Sequence, residues 1–227
     1  MLSKIEGGVL PVLTLTMENG EEIFVEAGGM SWMTDSFEMQ TNTKGGLLKG
    51  LGRVLSGDSL FMNTYKCVKP EGQIAFASSF PGQIMEFDLT NNQSIICQKS
   101  AFLCAEKTVN MSMYFNKKIG AGFLGGEGFI MQKIQGPGKA FIECDGSLTA
   151  MDLKPGELLK VSSGYVAAFE ETVTMNVEAV AGIKNMVFGG EGFFLTTLKG
   201  PGRVYLQSMT ICDLAQRITP YVPKIGN

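Results

Sequence analysis

The sequence predicts an all-β protein built from three tandem copies of a small antiparallel unit. The first observation is an internal repeat, in which GGEGFIMQKIQGPGKAFIE at 125–143 returns as GGEGFFLTTLKGPGRVYLQ at 189–207. The second is a period-two alternation of apolar and polar residues, which is typical of strands with one buried face. The third is a set of turns rich in glycine, proline and asparagine between the alternating runs. Two matched ends at one fixed spacing indicate a duplicated structural unit.

Three blocks, 11–30, 82–102 and 146–165, each show a strand pattern, a polar turn and a second strand pattern. In the first block the apolar residues at 13, 15 and 17 alternate with threonines. The turns contain Asn19-Gly20, Asn91-Asn92 and Pro155-Gly156, which are residue types that favour chain reversal. Each block is therefore predicted to be a β-hairpin.

The next blocks, 30–42, 102–116 and 165–180, resume the alternation and are predicted to be strands. The lone tryptophan, Trp32, is predicted to be a core aromatic at the start of its strand. Glycine-rich connectors follow at 44–59, 117–128 and 182–192. A further hairpin is predicted after each connector, turning at Pro70-Glu71-Gly72, Gly136-Pro137-Gly138 and Gly200-Pro201-Gly202.

The predicted repeats span about 9–80, 81–144 and 145–208, and no linker separates them. A few short strands bury too little apolar surface to be stable alone. We therefore predict a single triplicated β domain over 1–227, forming one body with pseudo-threefold symmetry. In the tail, 209–227, the segment after Asp213 predicts a short helix with Asp213 as its N-cap, packed on the β body.

The composition favours a globular binding protein over an enzyme or a nucleic-acid-binding protein. Hydrophobic residues make up 44% and charged residues 18%, the formal net charge is −3 and the pI is about 5.2. Nucleic-acid binding normally needs a basic surface. The chain has no histidine, so histidine-dependent nucleophiles and metal sites are excluded. No cofactor is predicted.

The five cysteines contain no CxxC and lie in or beside apolar runs, which indicates buried, reduced thiols. The first residues lack the apolar region of a signal peptide, and no stretch approaches the roughly 20 apolar residues that span a bilayer. We expect a cytoplasmic protein, with peripheral contact to a membrane as an open alternative.

An acidic residue recurs at matching places in the three copies, as Asp58, Glu127 and Glu191. Around a common axis these carboxylates would be candidates for a cation site, and they form the basis of an alternative, metal-dependent enzyme. A hard cation prefers about six oxygen ligands. The simpler interpretation is that each carboxylate closes its own glycine-rich turn or faces solvent.

The connectors are the stronger candidate for an interaction surface, because each mixes glycine with hydrophobic residues and carries basic residues nearby. In the first connector the apolar residues follow helical spacing. Three interpretations stay open: the hydrophobes cap the core, mediate self-association, or contact an anionic membrane. The predicted surface consists of Leu47, Leu48, Lys49, Leu51, Arg53, Val54, Leu55, Phe123, Leu124, Val187 and Phe188.

The repeated GGEGF with its following GPG, the segment GGLLKGLGRVLSGDSLFMNTY and the segment VEAGGMSWM together resemble one known family. It is the family of prokaryotic and mitochondrial proteins named for altered inheritance of mitochondria protein twenty-four. The resemblance covers nearly the whole chain. It implies a fold similar to the tryptophan RNA-binding attenuation protein, links of the mitochondrial members to inner-membrane organisation, and no catalytic motif.

The sequence therefore favours a non-enzymatic scaffold or binding protein that forms homo-oligomers or docks on a protein partner. RNA binding is a second alternative that rests on fold analogy alone, and function resides in sites rather than in folds. The acidic pI and the lack of a basic cluster common to all three copies make nucleic acid an unfavoured partner.

Overall fold

The computed structural model describes residues 1–42, 62–90, 93–117, 129–179 and 194–222. These residues form nineteen β-strands and one α-helix, as the alternating pattern predicts for a mostly β chain. The chain divides into two compact units. Unit 1 contains Met1–Gln93, Phe102–Asn110 and Gln135–Glu143, and unit 2 contains Ser94–Ala101, Met111–Ile134 and Cys144–Asn227.

Unit 1 is built from two sheets. Its strands are β1 (Leu2–Glu6), β2 (Val12–Glu18), β3 (Glu22–Glu26), β4 (Trp32–Met33), β5 (Phe37–Asn42), β6 (Met62–Cys67), β7 (Glu71–Ala77), β8 (Gly82–Asp88), β10 (Phe102–Glu106) and β13 (Lys139–Asp145). Sheet A has the order β1-β2-β7-β4, and sheet B has the order β5-β6-β3-β10-β13-β8.

The core of unit 1 follows from the alternation in β2. Leu13, Leu15 and Met17 have no exposed surface, whereas the intervening threonines are partly exposed. They form one cluster with apolar residues of sheet B, including Val25 and Phe141. Burying a side chain of this size stabilises the fold by about 2 kcal/mol, so these inward-facing residues are a main source of unit 1 stability.

Unit 2 is also built from two sheets. Its strands are β9 (Ser94–Gln98), β11 (Asn110–Lys117), β12 (Phe129–Gln135), β14 (Leu148–Leu153), β15 (Leu158–Ser162), β16 (Val166–Glu170), β17 (Thr174–Ala179), β18 (Phe194–Lys199) and β19 (Gly202–Gln207). Sheet C has the order β11-β12-β9-β16-β19-β14, and sheet D has the order β15-β18-β17. The core of unit 2 includes Ile96, Phe129, Phe169, Leu198 and Val204.

The chain ends, within the described residues, in helix α1 (Ile211–Ile218) and a 3₁₀ turn (Thr219–Tyr221). The prediction of a short helix is confirmed, but two details of that prediction are wrong. The N-cap is Thr210, whose hydroxyl accepts a hydrogen bond from the backbone N–H of Asp213. None of the helical residues is buried, so α1 is only loosely packed.

The predicted hairpins are wrong. Strands β2 and β3, which flank Asn19-Gly20, belong to sheets A and B, and the same change of sheet separates β8 from β9 and β14 from β15. The strands flanking the three proline-containing turns also lie in different sheets. Turn residues determine where a chain reverses, but they do not determine whether the next strand pairs with the last one. In packed sheets such reversals form corners between layers.

The prediction for Trp32 is half right. It begins strand β4, as expected, but its side chain is 54% exposed and is not part of the core. Its neighbour across the sheet is Ala75, on the face of sheet A opposite to Leu13 and Leu15. The cysteine prediction fits the structure better, since none of the five cysteines forms a disulfide and all except the half-buried Cys212 are buried.

Candidate functional site

The three connectors lie within real hairpins, although the sequence did not predict these hairpins. Strand β5 pairs with β6 in sheet B, β11 with β12 in sheet C, and β17 with β18 in sheet D. The first pairing extends to Asn42 opposite Met62, and the third to Ala179 opposite Phe194. Each connector therefore begins and ends at neighbouring strands of one hairpin.

The predicted site residues themselves lie outside the described residues. This holds for the whole predicted interaction surface, Leu47, Leu48, Lys49, Leu51, Arg53, Val54, Leu55, Phe123, Leu124, Val187 and Phe188. It also holds for the acidic set Asp58, Glu127 and Glu191. The structure describes the strands at which the connectors start and end. The candidate site is therefore described through the strands at the bases of these three hairpins.

The strands that lead into the first two connectors carry exposed apolar side chains. Met39 on β5 is 54% exposed, and Met113 and Tyr114 on β11 are also exposed. The Tyr114 ring makes an edge contact with buried Phe169, with the ring centroids 5.8 Å apart. Among the described strands, both are at the edge of their sheet, so no described strand lies beside these side chains on one side.

A buried polar side chain lies in the second strand of each hairpin: Asn63 in β6, Gln132 in β12 and Thr196 in β18. Each one has a partner. The Thr41 hydroxyl donates to the Asn63 amide oxygen at 3.0 Å, the Gln132 amide donates to the Lys99 carbonyl at 3.3 Å, and the hydroxyls of Thr196 and Ser163 lie 2.8 Å apart. Buried polar groups that keep their hydrogen bonds fix side-chain positions.

A backbone hydrogen bond recurs at the end of each hairpin that is opposite to its connector. Its donor is the residue after the glycine of the proline-containing turn. The backbone N–H of Lys139 donates to the Glu106 carboxylate at 2.8 Å, and that of Arg203 donates to Glu170 at 2.9 Å. At the matching place in the first copy, the N–H of Gln73 donates to the Thr34 hydroxyl. The sequence contains a signal for the two glutamates, since EKTV at 106–109 returns as EETV at 170–173.

The same residues carry cross-strand ion pairs. The Arg203 guanidinium donates two hydrogen bonds to Asp152, at 2.7 and 2.9 Å, and Lys139 donates to Glu86 at 2.6 Å. The hydrogen bond from Arg203 lowers the pKa of Asp152. Partial burial raises the pKa of Glu86, but hydrogen bonds from Lys139 and Ser3 outweigh burial, so this pKa lies below its ordinary value. These glycine-containing turns are thus explained by structural contacts.

The described residues do not bring metal-binding side chains together. Among them, no group of three or more histidine, cysteine, aspartate or glutamate side chains is placed to hold a metal ion. Burial raises the pKa of the Cys104 thiol well above its ordinary value, which keeps this thiol protonated and unreactive at neutral pH. Nor does any helix in the described ranges have the length and apolar character needed to cross a membrane.

The strand content and sheet pairing define a mostly β protein of packed antiparallel sheets. Residues 3–209 match the sequence model of the family described as mitochondrial biogenesis AIM24. The chain belongs to this family, which confirms the resemblance inferred from the repeated motifs. Helix α1 lies just beyond the matched residues.

Two relatives come from Streptococcus pyogenes. An uncharacterized protein of serotype M6 is 26% identical over 226 residues, covering 96% of this chain and 89% of that protein. The crystal structure of a Streptococcus pyogenes protein is similar to this chain with a TM-score of 0.81 and 23% identity. That similarity covers 97% of this chain and 99% of the other, and it shows the fold.

Proposed function

We propose that this protein is a non-enzymatic scaffold or binding protein that self-associates or docks on a partner through its connectors. The observation that carries the proposal is the placement of all three connectors. Each links the two strands of a hairpin whose first strand, β5, β11 or β17, is at the edge of a sheet. A segment that joins two paired strands can carry binding residues while the strands hold its two ends.

The proposal includes triplication of one β unit. Its support is the strand order, since adding six to every strand number of sheet B, β5-β6-β3-β10-β13-β8, produces sheet C, β11-β12-β9-β16-β19-β14. The order β5-β6-β3 recurs in the same way as β17-β18-β15 in sheet D. The two later connectors are thus equivalent in sequence position and in strand pairing to the first.

Chemical character supports a binding role for the connectors. They are rich in glycine and large hydrophobes, and the first connector also contains Lys49 and Arg53. Met39, Met113 and Tyr114 add exposed apolar side chains on the strands that lead into two of the connectors. An exposed apolar surface with basic residues suits another protein surface or anionic lipid headgroups.

The test is a double substitution, Leu48→Asp with Leu51→Asp, in the first connector. We expect the variant to lose assembly in light scattering, or to lose sedimentation with vesicles that contain anionic lipid, because two carboxylates oppose apolar and anionic contacts. The matched control is Val68→Asp. Val68 is an exposed apolar residue that follows β6 at the end away from the connector.

The control should retain the wild-type mass and vesicle binding. Circular dichroism and the thermal midpoint establish that both variants are folded. A folded double variant with unchanged mass and unchanged vesicle binding would overturn the proposed role of the connectors.

A further inference from the structure

Two strands in the described part of the chain lack a neighbour that their counterparts have. In sheets B and C, β10 and β16 each lie between two strands, and so do β3 and β9. Strand β4 lies beside β7, which follows the first proline-containing turn, as β10 lies beside β13 and β16 beside β19. Unlike β10 and β16, β4 has no second neighbour among the described strands. Strand β15 occupies the position of β3 and β9, but only β18 adjoins it.

The two existing junctions share one antiparallel register. Where β3 meets β10, Val25 lies opposite Cys104, and where β9 meets β16, Cys97 lies opposite Ala168. Val25 and Cys97 are each the fourth residue of their strand, and the fourth residue of β15 is Val161.

The position of β4 in this register follows from its pairing with β7. Trp32 lies opposite Ala75, which is three residues after Gly72. Cys104 lies opposite Phe141, three residues after Gly138, and Ala168 lies opposite Tyr205, three residues after Gly202. Trp32 is therefore the counterpart of Cys104 and Ala168, and Met33 is the counterpart of Ala105 and Phe169.

Exposure differs sharply between these counterparts. Cys104, Ala105, Ala168 and Phe169 are 0% exposed, whereas Trp32 is 54% and Met33 is 37% exposed. On the other unpartnered strand, Leu158 at the start of β15 is 60% exposed. The β4 edge thus exposes apolar side chains at positions that the completed junctions bury. On β15, Leu159 and Val161 are half-buried, whereas their counterparts Ile23, Ile95, Val25 and Cys97 are at most 2% exposed. A strand edge with unpaired backbone groups and apolar side chains readily pairs with another chain.

We propose that the open edge of β15 pairs in antiparallel fashion with the open edge of β4 in a second copy of this chain. The register of the existing junctions places Trp32 opposite Val161, Met33 opposite Lys160 and Thr34 opposite Leu159. The contact joins four-stranded sheet A of one copy to three-stranded sheet D of the next. It is head-to-tail, so successive copies close into a ring or continue as a filament. This surface is separate from the connectors and does not depend on their proposed role.

The test uses cysteine pairs in a Cys212→Ser background, which removes the cysteine that is not buried. One protein carries Met33→Cys and the other carries Lys160→Cys, and the two are coexpressed and oxidised. Directly opposite residues in an antiparallel pair have Cα atoms about 4.5–5.5 Å apart, within the range of a disulfide. We expect a disulfide-linked dimer containing one copy of each protein, and none from either protein alone.

A mismatched pair tests the register. Trp32→Cys with Lys160→Cys places the thiols on opposite faces of the joined sheet, and its crosslinked yield should fall at least tenfold. The pair Thr34→Cys with Leu159→Cys repeats the matched test if either first variant fails to fold, as judged by circular dichroism. The connectors are unchanged in all of these proteins, so the result is independent of the connector substitutions.

The informative alternative is pairing within one chain. A single chain carrying both Met33→Cys and Lys160→Cys would then form an internal disulfide, and the coexpressed single variants would give no dimer. That outcome overturns the second copy as the partner. Absence of any crosslink from either folded matched pair overturns the strand pairing itself.

Discussion

Gly202, in the third of the repeated Gly-Pro-Gly or Pro-Glu-Gly turns, combines two constraints that only glycine satisfies. Its φ is +137°, which side chains rarely adopt. A Cβ built on it would also lie 2.3 Å from the Thr172 hydroxyl and 2.8 Å from a Val173 methyl carbon. Gly138 repeats both features in the second copy, with φ of +132° and a contact to Thr108. The second glycine of the repeated GPG motif is therefore explained by close packing of its backbone against an earlier turn of the chain.

We predict that Gly202→Ala lowers the free energy of unfolding by about 3 kcal/mol, from backbone strain and from overpacking. Gly156→Ala is the matched control, because Gly156 also has a positive φ, +80°, but open space around it. The control should lose about 1 kcal/mol through strain alone. Urea denaturation of both variants measures the difference, and equal losses would show that the contact with Thr172 has no energetic role.

At the scale of single elements, the sequence predicts strand positions better than strand partners. The alternation of Leu13, Leu15 and Met17 correctly predicts β2, because burial of one face requires that period. The turn at Asn19-Gly20 does not close a hairpin. The backbone N–H groups of Asn19 and Gly20 donate to the carbonyls of Pro70 and Cys67, at the reversal between β6 and β7. Such long-range contacts between two corners leave no local sequence signal.

The hairpins that flank the connectors also lack a local sequence signal, because the segments that join their strands are long. Hairpins are recognised from short loops of two to five residues, whereas residues 43–61 separate the paired residues Asn42 and Met62. The hydrophobic composition of the connectors could be read directly from the sequence. Their placement between paired strands requires knowledge of the sheet, as does the exposure of Trp32, since an aromatic residue at the start of a strand is usually buried.

Helix α1 is an element with a local signal that can be tested locally. The Thr210 hydroxyl donates to the Asp213 carboxylate at 2.7 Å and accepts from its N–H at 3.1 Å, and Tyr165 donates to the same carboxylate. The Thr210 side chain thus caps the first turn of the helix, and the Asp213 carboxylate at the third helical position in turn holds the Thr210 hydroxyl. Asp213 is thus the second partner of the cap, three residues after the N-cap.

We predict that Thr210→Ala destabilises α1 by about 1 kcal/mol. Amide hydrogen exchange within 214–218 should accelerate about fivefold, while the midpoint of global unfolding changes little because no residue of α1 is buried. Gln216→Ala, on the exposed surface of the helix, is the control and should leave exchange nearly unchanged. A large loss of global stability in Thr210→Ala would instead show that the helix supports the β core.

At the scale of the whole molecule, the chain is interleaved between its two compact units. Unit 1 takes 102–110 and 135–143 from the middle of the chain, and unit 2 takes 94–101 and 111–134. Neither unit is therefore a continuous segment, and the boundaries of the predicted copies are not the boundaries of the units. The single domain that the sequence predicts stays a prediction, while the pairing of strands from distant segments explains why no linker is visible.

Cutting the chain between the second and third copies should have asymmetric effects. A fragment of residues 1–144 retains every strand of sheet A and all of sheet B except the last residue of β13. A fragment of residues 145–227 retains sheet D but lacks β9, β11 and β12 of sheet C. The core of unit 2 then loses Ile96, Phe129 and Met131, and β16 loses its pairing with β9.

We predict that 1–144 folds alone, that 145–227 does not, and that mixing the two restores the spectrum of the intact chain. The physical reason is that the missing strands remove both apolar contacts and backbone hydrogen bonds, and unit 2 cannot replace either from its remaining residues. Circular dichroism and the dispersion of amide NMR signals measure both fragments. As the control, removal of residues 211–227 should leave the fold intact, since α1 contributes no buried residue. Cooperative unfolding of isolated 145–227 near the midpoint of the intact chain would show that the third copy is an independent domain, and interleaving would then not limit its stability.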